Sequence, residues 1–141
     1  MKNMKNKGFL IWLDDQRDPY KNPEWLVFSP IIPDKVIWVK SYNEFVEWIT
    51  KNGLPEAICF DHDLGDEHIM DFYKQKAEKP GELIQPNYSE YKEKTGYEAA
   101  KWLVEYCIET KQYLPKWNVQ SANIVGKENI RSYLTNFEKY Y

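Results

Sequence analysis

Short runs of apolar residues alternate along the chain with segments of helical periodicity. The first run, Phe9–Leu13, is continuous and stops at two aspartates, which is typical of a strand buried on both faces of a parallel sheet. Similar runs at 36–39 and 57–60 predict two further strands, and Val119 predicts a fourth strand at 117–121. Because strands alternate with helices, the pattern predicts an α/β fold with a parallel sheet whose strands are joined by right-handed crossovers.

Amphipathic helices are predicted after the second, third and fourth strands. Ser41 and Glu44 form a capping box that starts the first helix, and Thr95 and Glu98 form another that starts the second. The third helix has apolar residues at four positions of one face between 130 and 137. These signals place one helix after each of the three later strands.

Two irregular segments interrupt this alternation. Four prolines between positions 14 and 34 forbid a long helix there, so we expect a structured loop with one short turn. Residues 66–94 are polar and contain Pro80 and Pro86, which predicts an irregular insertion with one short helix around 70–77. Such an insertion suggests a lid over a site or a contact for a protein partner.

Length and charge narrow the class of protein. The 141 residues fit one domain, 1–141, and the formal charge of -3 provides no cationic field for generic DNA binding. The longest stretches without a charged residue are nine residues long, well below the roughly 20 that a membrane-spanning helix needs. The apolar run behind the first lysines is shorter than a signal-peptide core. We therefore expect a cytoplasmic protein that does not contact membranes.

Carboxylates follow the first and third predicted strands. Asp14 and Asp15 come after the first strand, and Asp61 comes after the third. In a sheet of order 2-1-3-4 these strands are neighbours about 4.8 Å apart at the topological switch point, where such sheets bind ligands. Three carboxylates so close together repel one another unless a cation compensates, and a hard divalent ion such as Mg²⁺ is the simplest one. The other interpretation is that the aspartates begin a solvated turn.

Both histidines lie within an acidic segment, residues 61–71. A histidine among carboxylates can act near neutral pH as a general acid or base, or can ligate a transition metal. For His62 we weigh this role, shared with Asp63, against that of a hydrogen-bonded turn residue. His68 is expected at the surface.

Polar residues at the end of the fourth strand predict an anion site. Ser121, Asn123, Gly126 and Lys127 lie where free backbone amides at the start of a helix bind anions. Arg17, in the first loop, provides a forked donor for the same oxyanion. The other interpretation is that Asn123 caps the helix and Lys127 lies at the surface.

Four motifs together resemble a receiver-like family, the cyclic-phosphate processing receiver domain. They occupy residues 13–19, 60–65, 95–103 and 121–130 and read LDDQRDP, FDHDLG, TGYEAAKWL and SANIVGKENI. The resemblance implies a receiver-like (flavodoxin-like), doubly wound parallel sheet of about four strands in order 2-1-3-4. It also implies that a Pro-rich loop replaces the first receiver helix and that the 66–94 insertion follows strand 3.

The same resemblance implies a function. It suggests a metal-dependent phosphoesterase, in a bacterial or phage protein, that acts on a cyclic-phosphate-bearing nucleotide or RNA end. Asp14, Asp15 and Asp61 would hold Mg²⁺ or Mn²⁺, while Arg17 and residues 121–127 would hold the phosphate.

The resemblance also bears on the catalytic residues. Many relatives have a histidine before the Ser-Ala-Asn element, whereas this chain has Gln120, which cannot transfer protons. The catalytic set implied here is therefore Asp61, His62 and Asp63.

Two other functions stay open at this point. Asp61 occupies the position of a receiver phosphoacceptor, which suggests a regulatory module, although the fifth-strand lysine of receivers is missing. A non-catalytic domain that binds or sequesters a nucleotide is the other alternative, with Trp25, Tyr73 or Tyr88 stacking on the base.

Overall fold

The computed structural model describes residues 5–64 and 94–141. Its strands are β1 (Phe9–Leu13), β2 (Lys35–Val39), β3 (Ala57–Phe60) and β4 (Lys116–Val119). All pairings are parallel and the order is β2-β1-β3-β4, which confirms the predicted receiver-like sheet. The strand prediction was wrong at one end: β4 leaves the ladder earlier than position 121, because the chain turns toward the next helix after a last bond from the Gln120 amide to the Phe60 carbonyl.

The described helices are α1 (Tyr42–Asn52), α2 (Gly96–Thr110) and α3 (Ile124–Tyr140). Each begins at the polar residue that the sequence provides for capping. The side chains of Ser41, Thr95 and Asn123 accept hydrogen bonds from the backbone N–H groups of Glu44, Glu98 and Gly126. Among the described helices, none is long and apolar enough to cross a membrane.

The two faces of the sheet have different coverings. Ile11 and Leu13 of β1 belong to the large core that β1 shares with α1, α2 and α3. Leu10 and Trp12 face the opposite way, into a smaller cluster with residues of the Pro-rich segment 14–34. Within the described residues, this segment and not an α-helix covers the second face. The predicted replacement of the first helix by a loop is therefore observed.

The Pro-rich segment contains one short 3₁₀ helix, Pro23–Phe28, where one turn was predicted. It is held to the sheet at several points. The Trp12 indole donates to the Arg17 carbonyl at 3.0 Å, and the Tyr20 hydroxyl donates to the Val36 carbonyl. The Asn118 side-chain amide of β4 donates to the Phe28 carbonyl at 2.8 Å. The bonds from Trp12 and Asn118 hold the segment near the carboxyl ends of β1 and β4, and the Tyr20 bond holds it near the amino end of β2.

The predicted insertion, residues 66–94, lies almost entirely outside the described residues. The same holds for the predicted short helix around 70–77, for His68, and for Tyr73 and Tyr88.

Candidate functional site

The strand register brings three carboxylates to one edge of the sheet. Leu13 is paired with Phe60, so β1 and β3 end at the same level. The residues that follow are Asp14, Asp15 and Asp61, and one carboxylate oxygen from each lies within 4.8 Å of the others. Asp14 is 1% exposed and Asp61 is 8% exposed, whereas Asp15 is half-buried. The predicted convergence of these carboxylates is confirmed.

Asp14 is held in one orientation by its own turn. Its Oδ1 accepts hydrogen bonds from the backbone N–H groups of Gln16 at 3.0 Å and Arg17 at 2.9 Å. Its Oδ2 lies 3.4 Å from the Arg17 guanidinium, and its backbone carbonyl accepts from the Trp38 indole at 2.7 Å. Because both oxygens have fixed neighbours, the carboxylate is preorganised toward the cluster. Sequence reasoning missed Trp38, although it pairs with Trp12 in the sheet register.

Asp61 is fixed by backbone contacts. The N–H of His62 donates to Asp61 Oδ1 at 2.9 Å, and the N–H of Gly96 donates to the His62 carbonyl at 2.8 Å. A methyl group on Gly96 would overlap the Asp61 carbonyl oxygen. The start of α2 thus packs directly against the backbone of the acidic turn, which gives a physical reason for glycine after the Thr95 cap.

The charges of the cluster oppose one another. Burial raises the pKa of Asp14 even though the Arg17 and Gln16 backbone bonds and the Arg17 charge lower it. Burial, followed by the Asp14 charge, raises the pKa of Asp61 well above its usual value, with Arg17 acting in the opposite direction. These carboxylates resist ionisation together, and a divalent cation between them would remove that resistance. An all-oxygen, anionic donor set suits a hard divalent ion, so the residues present fit a metal of that class.

His62, Asp63 and Asn123 form a linked group between β3 and α3. His62 Nδ1 lies 2.9 Å from Asp63 Oδ1, and the Asn123 amide donates to the same oxygen at 3.3 Å. The imidazole is 2% exposed and packs on Gly126, where a methyl group would overlap the ring. The N–H of Gly126 in turn donates to Asn123 Oδ1 at 3.0 Å. This placement favours a positioning role for His62, and it agrees with the capping interpretation of Asn123.

Arg17 connects the acidic cluster to the end of β4. Its Nη1 donates to the Gln120 carbonyl as well as to Asp14 Oδ2. Beside it lies a cavity of about 280 Å³ that contains three of the residues predicted to bind phosphate, Arg17, Ser121 and Lys127. The other described residues that line this cavity are Trp25, Phe28, Gln120 and Ala122. Sequence reasoning missed Phe28, because no local pattern connects it with the site.

Gln120 lies at the level of Asp14 and Asp61, one strand further along the sheet. It is 4% exposed, and its Nε2 donates to the Leu13 carbonyl at 3.2 Å. Its Oε1 is buried and has no hydrogen-bond partner among the described residues. The Nε2 bond fixes the orientation of the side-chain amide.

Comparisons with known proteins place these features in a family. The model of the cyclic-phosphate processing receiver domain matches residues 9–136. The chain is also 32% identical over 144 residues to the ring-infected erythrocyte surface antigen of Plasmodium falciparum (isolate FC27 / Papua New Guinea), covering 96% of this chain but only 12% of that protein. No solved structure gives a significant match. On the family match, this chain belongs to the cyclic-phosphate processing receiver domain family.

Proposed function

We propose that this domain is a metal-dependent phosphoesterase that acts on a cyclic-phosphate-bearing nucleotide or RNA end. The observation that carries the proposal is the convergence of three carboxylates within 4.8 Å of one another, with Arg17 at their rim. Membership of the family supports a cyclic phosphate as the substrate. Phosphoryl chemistry requires carboxylates that bind a metal ion next to a cationic side chain that binds the phosphate.

In this proposal each group of residues has one task. Asp14, Asp15 and Asp61 hold Mg²⁺ or Mn²⁺, which when bound polarises the phosphoryl group and lowers the pKa of a water molecule. Arg17 binds a phosphate oxygen. Its Nη1 contacts Asp14 and Gln120. Because a guanidinium carries five N–H donors in all, its other nitrogens can donate to the phosphate.

The end of β4 and the start of α3 complete the phosphate side. Ser121 and Lys127 extend the binding surface along the cavity wall. Asn123 and Gly126 contribute by fixing the turn that presents those two residues, because their own polar groups are engaged in the helix cap.

We assign proton transfer during hydrolysis to the hydrogen-bonded pair of Asp63 and His62. Asp63 Oδ1 receives both the His62 and the Asn123 contacts, so its position relative to Asp61 is defined. The buried imidazole acts through Asp63 and not by touching the substrate. Asp63→Asn is expected to lower kcat and to change its pH profile. His62→Gln is expected to lower kcat by a smaller factor, because it only loosens the position of Asp63.

The activity is tested by incubating the protein with Mn²⁺ and either 2′,3′-cyclic or 3′,5′-cyclic nucleotides. The expected result is release of a linear phosphate that EDTA and Asp61→Asn both abolish. Glu47→Gln, an exposed change on α1 away from the sheet edge, serves as the control and keeps full activity. Absence of turnover with every substrate, in protein that demonstrably binds Mn²⁺, would contradict the proposal.

A regulatory module is the second candidate, because Asp61 follows β3 next to the Asp14 and Asp15 pair, as the phosphoacceptor does in receivers. Acetyl phosphate with Mg²⁺ would then add one phosphoryl mass to the wild type and none to Asp61→Asn. A third candidate, nucleotide binding without catalysis, would appear in the turnover assay as binding with no product.

A further inference from the structure

We propose that the cavity beside Arg17 is a base pocket, which makes the ligand a nucleoside phosphate and not a simple sugar phosphate. In this arrangement the planar base lies against Trp25 and Phe28, and the phosphate points toward Arg17 and the acidic cluster. The inference rests on the proposed function, since it names the substrate class of the same site.

The position and size of the cavity suit such a ligand. Arg17 is shared between the cavity and the carboxylate cluster, because its Nη1 lies 3.4 Å from Asp14 Oδ2. A ligand in the cavity that contacts Arg17 is therefore separated from the carboxylate cluster by a single side chain. A volume of about 280 Å³ lies just below the usual range of ligand pockets, about 300–1,000 Å³, so the cavity suits one small group such as a base.

The aromatic wall is built into the fold. Trp25 and Phe28 belong to the short 3₁₀ helix of the Pro-rich segment. Trp25 packs against the cluster around Leu10 and Trp12, and the Phe28 carbonyl is bonded to the Asn118 side chain at 2.8 Å. Phe28 is 38% exposed, so part of its surface remains available to a ligand. Aromatic surfaces that are already ordered lose little entropy on binding a flat base.

The charged lining of the cavity selects for an anion. Arg17 and Lys127 are the charged groups among the described lining residues, and both are cationic. Inorganic phosphate at neutral pH satisfies the cations but leaves the aromatic wall without a partner.

The test compares two ligands that differ only by the base, AMP and ribose 5-phosphate, by titration calorimetry on the full chain. Each titration is run in EDTA and again in Mg²⁺, and the readout is the ratio of the two Kd values, in which the phosphate contribution cancels. We expect AMP to bind about 5- to 150-fold more tightly, the range of base stacking on an aromatic side chain. Trp25→Leu should lower the ratio at least about 5-fold while leaving the Kd of ribose 5-phosphate unchanged.

Two further variants serve as a matched control and as a second test of the aromatic wall. Trp48→Leu makes the same change at a half-buried tryptophan of α1, on the opposite face of the sheet, and should keep the ratio of the wild type. Phe28→Leu, at a partly exposed position, should lower the ratio and serves if Trp25→Leu does not fold. Circular dichroism identifies the folded variants.

The outcomes separate this inference from the proposed activity. Equal affinities for AMP and ribose 5-phosphate, no binding of AMP, or a ratio that survives in folded Trp25→Leu and Phe28→Leu would overturn the base pocket. AMP and ribose 5-phosphate carry no cyclic phosphate, so these titrations do not depend on turnover. Base discrimination without hydrolysis of any cyclic nucleotide would reject the phosphoesterase and retain the pocket.

Discussion

Replacing Asp61 with asparagine should stabilise the protein in EDTA and remove its stabilisation by Mn²⁺. Burial, followed by the charge of Asp14, raises the pKa of Asp61 well above its usual value, so the ionised carboxylate is unfavourable in the fold. Two unit charges 4.8 Å apart, the limit that encloses this cluster, repel by about 3 kcal/mol at an effective dielectric constant of 20. Asparagine is neutral and keeps an oxygen that accepts the hydrogen bond from the His62 N–H.

Proton uptake sets an upper limit on this gain. The ordinary pKa of the Asp61 carboxyl is 3.8, and holding it neutral up to pH 7 costs about 1.4 kcal/mol per pH unit, or about 4 kcal/mol. Arg17 offsets part of the repulsion, because it lowers the pKa of Asp61. We therefore expect Asp61→Asn to raise the free energy of unfolding at pH 7 by about 1–4 kcal/mol, or about 3–4 °C in Tm per kcal/mol.

The sign of the pH dependence follows from the direction of the pKa shift. Because the folded pKa of Asp61 is raised, the native state holds its proton after the unfolded state has released it. The wild type therefore loses stability relative to Asp61→Asn as the pH rises from about 4 toward the folded pKa, and the gap is constant above that value. Below about pH 4 both states are protonated, so the gap disappears.

The assay is urea unfolding of both proteins between pH 4 and pH 8, in EDTA and in Mn²⁺. Mn²⁺ at 100 times its Kd should stabilise the wild type by about 2.7 kcal/mol and Asp61→Asn by much less. The control Glu47→Gln, at an exposed position of α1, should stay within about 0.5 kcal/mol of the wild type. A variant that is less stable than the wild type in EDTA at pH 7, by an amount independent of pH, would refute the reasoning.

Three further predictions concern the surroundings of the site and the core. Gly126→Ala would overlap the His62 ring and should lower the free energy of unfolding by about 1–3 kcal/mol, measured by urea titration. Ser41→Ala removes the cap of α1 and should cost about 1 kcal/mol in the same measurement. Burial raises the pKa of Cys59 to about 12 and of Cys107 to about 11, so DTNB at pH 8 should label both thiols only after unfolding; rapid labelling of the native protein would contradict this.

The sheet and the acidic cluster were predictable because their signals are local. Strands buried on both faces appear as continuous apolar runs, and in three of four cases the run matched the observed strand closely. Once the order of parallel strands is 2-1-3-4, residues that follow β1 and β3 must share an edge. The convergence of Asp14, Asp15 and Asp61 is thus a consequence of topology and needs no knowledge of side-chain packing.

The packing of His62 could not be predicted in the same way. Its acidic neighbours are visible in the sequence, but the Gly126 surface on which its ring packs lies more than 60 positions away. The same limit applies to Gly96, whose closeness to the Asp61 backbone is a tertiary contact. Periodicity also identifies the apolar face of a helix without indicating which side of the sheet it covers. The position of α1, α2 and α3 in one shared core therefore required the structure.

The Pro-rich segment, which replaces the first helix of ordinary receivers, also contributes residues to the candidate site. A helix in its place would use its apolar stripe for packing on the sheet and would run along the face, away from the strand ends. The irregular chain also covers the face of the sheet, but in addition it reaches the carboxyl edge, where Arg17 lies beside the acidic cluster and Trp25 and Phe28 line the cavity. Bonds from Trp12 and Asn118 to its backbone hold it there. In the function and the base pocket that we propose, one change in the fold would thus provide both the cation for the phosphate and the aromatic surface for the base.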